Sequence, residues 1–175
     1  MQGIAIAAIF LSISLATLAS SFAKIDNIWF DNNLFDIISF TLFFIGFRIK
    51  IFLDDILFFK EADFSKNRFK LSFIYTILIW FLWILSAMFV NKLYYVMNLL
   101  IAIYLLSIPL IIIQYCENLK FKYLMWIGLN VIYVILLYLA ILDDLPKSMC
   151  FGLLFLSNLI DMFCSDSFEA LTIEK

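Results

Sequence analysis

Residues 43–59, FFIGFRIKIFLDDILFF, place two basic and two acidic side chains inside an otherwise apolar stretch: Arg48, Lys50, Asp54 and Asp55. An ionisable group at membrane depth costs roughly 2.5–3.5 kcal/mol at the centre of a helix, so such groups pair, bind an ion or relay protons. Lys50 and Asp54 have the i, i+4 spacing of a helical ion pair. Asp161, in a later apolar stretch, is the fifth member of the predicted intramembrane charge network.

Two interpretations of these charges are open. In one, the helix leaves the membrane near Arg48, and the long basic side chains reach the lipid headgroups. In the other, Asp54 and Asp55 stay below the surface and pair with Arg48 and Lys50. Because Lys50 and Asp54 lie on one helical stripe and Arg48 and Asp55 on roughly the opposite one, two polar environments are needed. These could be a neighbouring helix on one side and a cavity, water or a second subunit on the other. The same two interpretations apply to Asp161, which lies either in the protein interior or at the cytoplasmic edge of the membrane.

The elements that position these charges are membrane helices. Hydrophobic residues make up 66% of the 175-residue chain, far above the roughly 45–50% of soluble domains. Apolar segments span 3–23, 34–59, 71–90, 93–115, 123–142 and 149–163. The last would be only about 22 Å long as a helix, so it either crosses a thinned region or is re-entrant or interfacial. We predict an all-α polytopic bundle of five or six segments that forms one domain over residues 1–175.

The distribution of basic residues predicts the orientation, because Lys and Arg collect on the cytoplasmic side. Nine of the 12 lie in the second half of the second segment or after it, after the fourth segment, or at the end of the chain: Arg48, Lys50, Lys60, Lys66, Arg68, Lys70, Lys120, Lys122 and Lys175. We therefore predict a multi-pass protein of the bacterial inner (cytoplasmic) membrane, with its N-terminus in the cytoplasm.

The second helix is predicted to extend into the cytoplasm. The apolar run from Leu34 to Phe47 would be only about 21 Å long, which is too short to span a bilayer, so the helix must continue to Phe59. Beyond it, a charged rod would project towards Lys70. The rod offers basic residues for docking a partner protein or for contacting anionic lipid: Lys60, Lys66, Arg68 and Lys70.

A stripe of small residues follows one face of the first segment and includes Ala8, Ser12 and Ala16. Small side chains let helix backbones approach closely in membranes. The stripe therefore predicts either an internal packing seam or the interface of a homo-oligomer.

Catalytic and cofactor motifs are missing from the sequence. The chain has no histidine, which removes the usual acid–base group and a common metal ligand. The three cysteines form no Cys-x-x-Cys pair, and no nucleophile elbow or phosphate-binding glycine loop occurs. We therefore predict no enzyme activity, no catalytic residue, no metal and no cofactor.

The function predicted is that of a non-catalytic inner-membrane sensor or scaffold that oligomerises and recruits a cytosolic effector protein. Its partners would be other copies of itself, the effector and membrane lipid, with no direct contact to nucleic acid. Two alternatives remain open. One is an oligomeric ion channel or small transporter, and the other is an immunity protein against a pore-forming bacteriocin.

The segment RIKIFLDDILFFKEADFSKNRFK, in a small, histidine-free, Phe- and Ile-rich chain, resembles the membrane subunits of bacterial antiphage defence systems of the Kiwa type. The likeness is one of size and profile across the chain. It implies a homo-oligomeric inner-membrane sensor of phage infection that docks a cytosolic, DNA-binding effector.

Overall fold

A computed structural model describes residues 2–23, 34–61, 66–115 and 121–164 of the chain, and these contain helices and turns but no strand. The predicted all-α class is therefore confirmed. The helices are α1 (Gln2–Phe22), α2 (Leu34–Glu61), α3 (Asn67–Met88), α4 (Leu93–Tyr115), α5 (Phe121–Ile141) and α6 (Lys147–Cys164).

Four of these helices are long and apolar enough to cross a membrane. The qualifying stretches, found among the described residues, are Ile4–Ser21, Asn67–Met88, Leu93–Tyr115 and Tyr123–Ile141. They belong to α1, α3, α4 and α5, and they are compatible with a membrane protein. Crossing by α2 and α6 stays a prediction.

The extension of α2 into the cytoplasm stays a prediction, but α2 does not continue as one helix to Lys70. The α2 helix ends at Glu61, and Lys66 has an extended backbone (φ −84°, ψ 132°) that caps the start of a new helix. A residue in that conformation cannot belong to a continuous helix. Arg68 and Lys70 are therefore in the first turn of α3.

One compact unit contains α1, α2 and α6. The α1 helix runs antiparallel to α2, because Ile4 near its start packs against Leu53 and Ile56, whereas Ser14 contacts Arg48 earlier in α2. The side of α1 that is buried carries Ala7, Ser14 and Leu18.

The α6 helix runs parallel to α2 in the same unit. At the start of both helices, the backbone N–H of Ser148 donates to Asp36 Oδ1 at 2.8 Å. Further along, the Phe151 ring packs edge-on against the Phe40 ring, with 5.3 Å between centroids. Later again, Met162 packs against the cluster of Leu53 and Ile56. The two helices thus stay in contact over most of the length of α6.

The other compact unit contains α3, α4 and α5. A tight turn joins α3 to α4, in which the Lys92 N–H donates to the Phe89 carbonyl at 2.7 Å. Large aromatic side chains, including Trp80, Trp83 and Tyr104, are fully buried. Tyr104 on α4 lies 5.0 Å from Tyr133 on α5, measured between ring centroids. The unit is therefore held together largely by aromatic and aliphatic packing.

Candidate functional site

The Lys50 side chain makes two ion pairs, one of which joins α2 to α6. Its Nζ lies 2.5 Å from Asp54 Oδ2, one turn along the same helix, and 2.9 Å from Asp161 Oδ2 on α6. Only 9% of the Lys50 side chain and 11% of the Asp161 side chain are exposed. The local pair has the predicted i, i+4 spacing. Asp161 faces the interior of the unit and does not cap a solvated helix end.

Arg48 joins α2 to α1. Its Nε donates to Ser14 Oγ at 3.2 Å, while the Ser14 hydroxyl itself donates to the Leu11 carbonyl at 2.8 Å. Arg48 is 1% exposed and Ser14 is 0% exposed. Asp55 lies two helical turns further along the same face of α2, and its carboxylate interacts electrostatically with Arg48. Every member of the predicted charge network is therefore in the α1–α2–α6 unit.

The two polar stripes of α2 both face neighbouring helices. Lys50 points towards α6 and Arg48 towards α1, so the second polar environment is a helix of the same chain. The exposed side chains of α2 between its start and Lys50 are all apolar: Phe35, Ile38, Leu42, Ile45 and Ile49.

Gly46 allows α6 to approach α2 closely, and sequence reasoning missed it. A Cβ at this position would lie 2.9 Å from the Phe155 ring and 3.7 Å from Asn158 Nδ2. Because Gly46 is one turn before Lys50, and Asn158 is one turn before Asp161, this contact continues the same seam. No small-residue motif surrounds Gly46, so the sequence alone carries no signal for it.

Asp36 is a second residue whose role was missed. Its carboxylate accepts the free N–H of Ser148 in the first turn of α6, where an anion is favoured by the unpaired N–H groups and the helix dipole. Because the capping carboxylate comes from another helix, the sequence next to α6 contains no capping pattern that would have revealed it. Asp36 thereby fixes the level at which α6 starts beside α2.

The predicted docking residues are divided between two elements. Lys66 and Lys70 are exposed at the start of α3, and the Arg68 guanidinium lies 4.7 Å from the centre of the Phe69 ring. Lys60 is in the last turn of α2, and its side chain lies outside the described part of the structure. The structure thus brings together three of the four residues along one helical turn.

The predicted oligomer stripe is mostly on the surface. Ser12 and Ala16 are exposed and Ala8 is half-buried, whereas the face with Ala7 and Ser14 is the buried one. The Ser12 hydroxyl is satisfied within α1 by the Ala8 carbonyl at 2.9 Å. The internal-seam interpretation is therefore wrong for Ser12 and Ala16, and the oligomer interpretation stays a prediction.

The chemistry of the charged site is that of an ion-pair network. Lys50 binds the carboxylates of Asp54 and Asp161 at once, so each of the two acidic groups is paired with the same cation. Among the residues that the structure describes, no group of three His, Cys, Asp or Glu side chains could hold a metal ion. The arrangement suits holding three helices in register.

No family model matches the chain, and comparisons with curated proteins and with solved structures also find no match.

Proposed function

We propose that the chain is a multi-pass inner-membrane scaffold whose α1–α2–α6 unit carries its charges into the bilayer. Support comes from the partner of Arg48. Ser14 belongs to the apolar stretch Ile4–Ser21 and lies about 15 Å from the first residue of that stretch and about 10 Å from the last, at about 1.5 Å per residue. If α1 crosses, the Arg48 guanidinium is near the middle of the membrane.

The parallel packing of α2 and α6 supports six crossings. Parallel neighbours enter the membrane from the same side, so the chain between them must cross an odd number of times. That part of the chain contains three candidate spans, in α3, α4 and α5. Together with the distribution of Lys and Arg along the chain, this favours α2 and α6 both ending at the cytoplasmic face, with the N-terminus there as well.

The observation that carries the scaffold function is the burial of the charges inside one chain. Arg48 is 1% exposed and Lys50 is 7% exposed, and both are bonded to neighbouring helices. Charges that line a pore between subunits would instead lie on the outer surface of the protomer. The network is thus better suited to fixing helix positions than to conducting ions.

The proposed partners follow from the exposed surfaces. The exposed residues of α1, including Ser12 and Ala16, offer a close-packing face for a second copy of the chain. The basic start of α3, with Lys66, Arg68 and Lys70, would recruit a cytosolic effector protein and contact anionic lipid. A role as the sensor of an antiphage defence system fits this arrangement, and we propose it as the biological setting.

The test is affinity purification of the tagged protein in mild detergent, comparing the native chain with a triple charge-reversal variant, Lys66→Glu, Arg68→Glu and Lys70→Glu. We expect a bound soluble protein that is lost in the variant while membrane insertion is kept. Lys92→Glu is the control, because Lys92 is exposed in the turn between α3 and α4, away from the start of α3. It should retain the bound protein.

Other results would redirect the proposal. A complex that survives the triple reversal would remove the docking role of α3. An oligomer without any partner, combined with ion flux in liposomes that Lys50→Met abolishes, would favour the channel, for which the buried charges of α2 are the supporting observation. Capture of a pore-forming toxin would favour immunity.

A further inference from the structure

We infer that the seam between α2 and α6 binds a buried water molecule at Asn158. The inference concerns the interior of the α1–α2–α6 unit, and it does not depend on the docking function of α3.

The side chain of Asn158 is the starting point. Asn158 is 1% exposed, and neither its Nδ2 nor its Oδ1 hydrogen-bonds any group that the structure describes. A carboxamide offers two donors and an acceptor with two lone pairs. Burying such a group without partners costs free energy, which is why buried polar groups in proteins are paired with protein or with ordered water.

The surroundings of Asn158 limit what the partner can be. The amide faces Gly46, with Nδ2 3.7 Å from where a Cβ would be, so Gly46 offers it no side-chain partner. The 1% exposure keeps out lipid headgroups and side chains from a second copy. A water molecule both donates and accepts, and it typically makes about three hydrogen bonds in such sites.

The position of the site gives the water a structural role. Asn158 is one helical turn before Asp161, and Gly46 is one turn before Lys50, whose ammonium binds Asp161 at 2.9 Å. The proposed water therefore extends the polar seam by one turn beyond the Lys50–Asp161 pair, towards the start of α6. Polar groups in lipid bilayers are commonly satisfied in this way by neighbouring helices and ordered waters.

The experiment is solution NMR of the ¹⁵N-asparagine-labelled full chain in lipid nanodiscs. We expect a nuclear Overhauser cross-peak between water and the Asn158 side-chain amide protons. Asn98, which is exposed and donates to the Tyr94 carbonyl in its own helix, gives the reference signal of a solvent-exposed amide. Asn158→Leu assigns the signal by its loss, and Asn158→Ser assigns it if the leucine variant does not fold.

Thermal unfolding supplies a second readout with opposite signs. Leucine has the same branching and the same number of side-chain heavy atoms as asparagine, so a dry, unpaired amide predicts that Asn158→Leu raises Tm, because the unmet polar group is removed. A bound water predicts that Tm falls by several degrees, because the variant excludes the water and its hydrogen bonds. Absence of the cross-peak, or a raised Tm, would overturn the inference.

Discussion

The two helical units treat buried polar side chains in different ways. In the α3–α5 unit, the buried hydroxyls of Thr76 and Ser86 donate to carbonyls four residues earlier in their own helix, at 3.0 Å and 2.9 Å. In the α1–α2–α6 unit, polar bonds run between helices, from Arg48 to Ser14 and from Lys50 to Asp161. Among the described residues, the charged side chains that are buried are those of Arg48 and Lys50, and both belong to this unit.

This difference separates two ways of holding helices together. A hydroxyl that bonds to its own helix places no demand on the neighbour, so the α3–α5 unit relies on the shapes of its aromatic and aliphatic side chains. A buried charge requires a partner at one position along the neighbour, because any shift leaves it unpaired. We therefore expect the α1–α2–α6 unit to be the more sensitive to single polar substitutions.

The largest expected effect comes from Lys50→Met. The substitution keeps the apolar stem but leaves Asp54 and Asp161 without their shared cation, and breaking a buried pair costs about 3–5 kcal/mol. We expect a large fall in the unfolding temperature of the purified protein in nanodiscs. Lys70→Met, at an exposed position of α3, is the control and should behave as the native chain.

A combined variant separates the lost charge from lost packing. Adding Asp54→Asn and Asp161→Asn to Lys50→Met removes the uncompensated charges and should recover most of the stability. If the single variant were as stable as the Lys70→Met control, the ion pairs would not hold α6 in place.

Two serines test the comparison at an intermediate level. Ser14 and Ser86 are both 0% exposed, but only Ser14 accepts a bond from a charged side chain of another helix. Hydrogen bonds to charged groups contribute about 1.5–3 kcal/mol, so Ser14→Ala should lower the free energy of unfolding by that order. Ser86→Ala should change it little. If denaturation gave the same change in unfolding free energy for both variants, the proposed difference between the two units would be contradicted.

The smallest expected effect of a single substitution is at Gly46, with Gly128 as its comparison. A Cβ at Gly46 would come within 2.9 Å of the Phe155 ring, whereas a Cβ at Gly128 on α5 has nothing within 4 Å. Gly46→Ala should therefore destabilise by about 1–3 kcal/mol through overpacking. Gly128→Ala should be neutral or stabilise by up to about 1 kcal/mol through helix propensity. Thermal unfolding of both variants under one set of conditions measures the difference, and a stabilised Gly46→Ala would show that the α2–α6 contact is loose.

Local sequence features predicted the helices and their approximate ends, because long apolar runs leave few alternatives in a membrane. They also predicted the pairing of Lys50 with Asp54, since that depends only on helical spacing. The bonds from Lys50 to Asp161 and from Arg48 to Ser14 depend on which helices are neighbours, and spacing along the chain carries no such information. The break at Lys66 was missed for a related reason, because the surrounding charged residues fit a helix and a loop equally well.

The hydrogen bond between Asp36 and Ser148 also bears on when the helices can assemble during synthesis. The two residues are 112 positions apart, so at a synthesis rate of about 5–20 residues per second the start of α6 emerges roughly 5–20 s after Asp36. During that interval α2 is already made, but the carboxylate of Asp161 is not yet available to Lys50. The α1–α2–α6 unit can therefore assemble only after α6 has been synthesised, and until then the Lys50 ammonium lacks its partner carboxylate on α6.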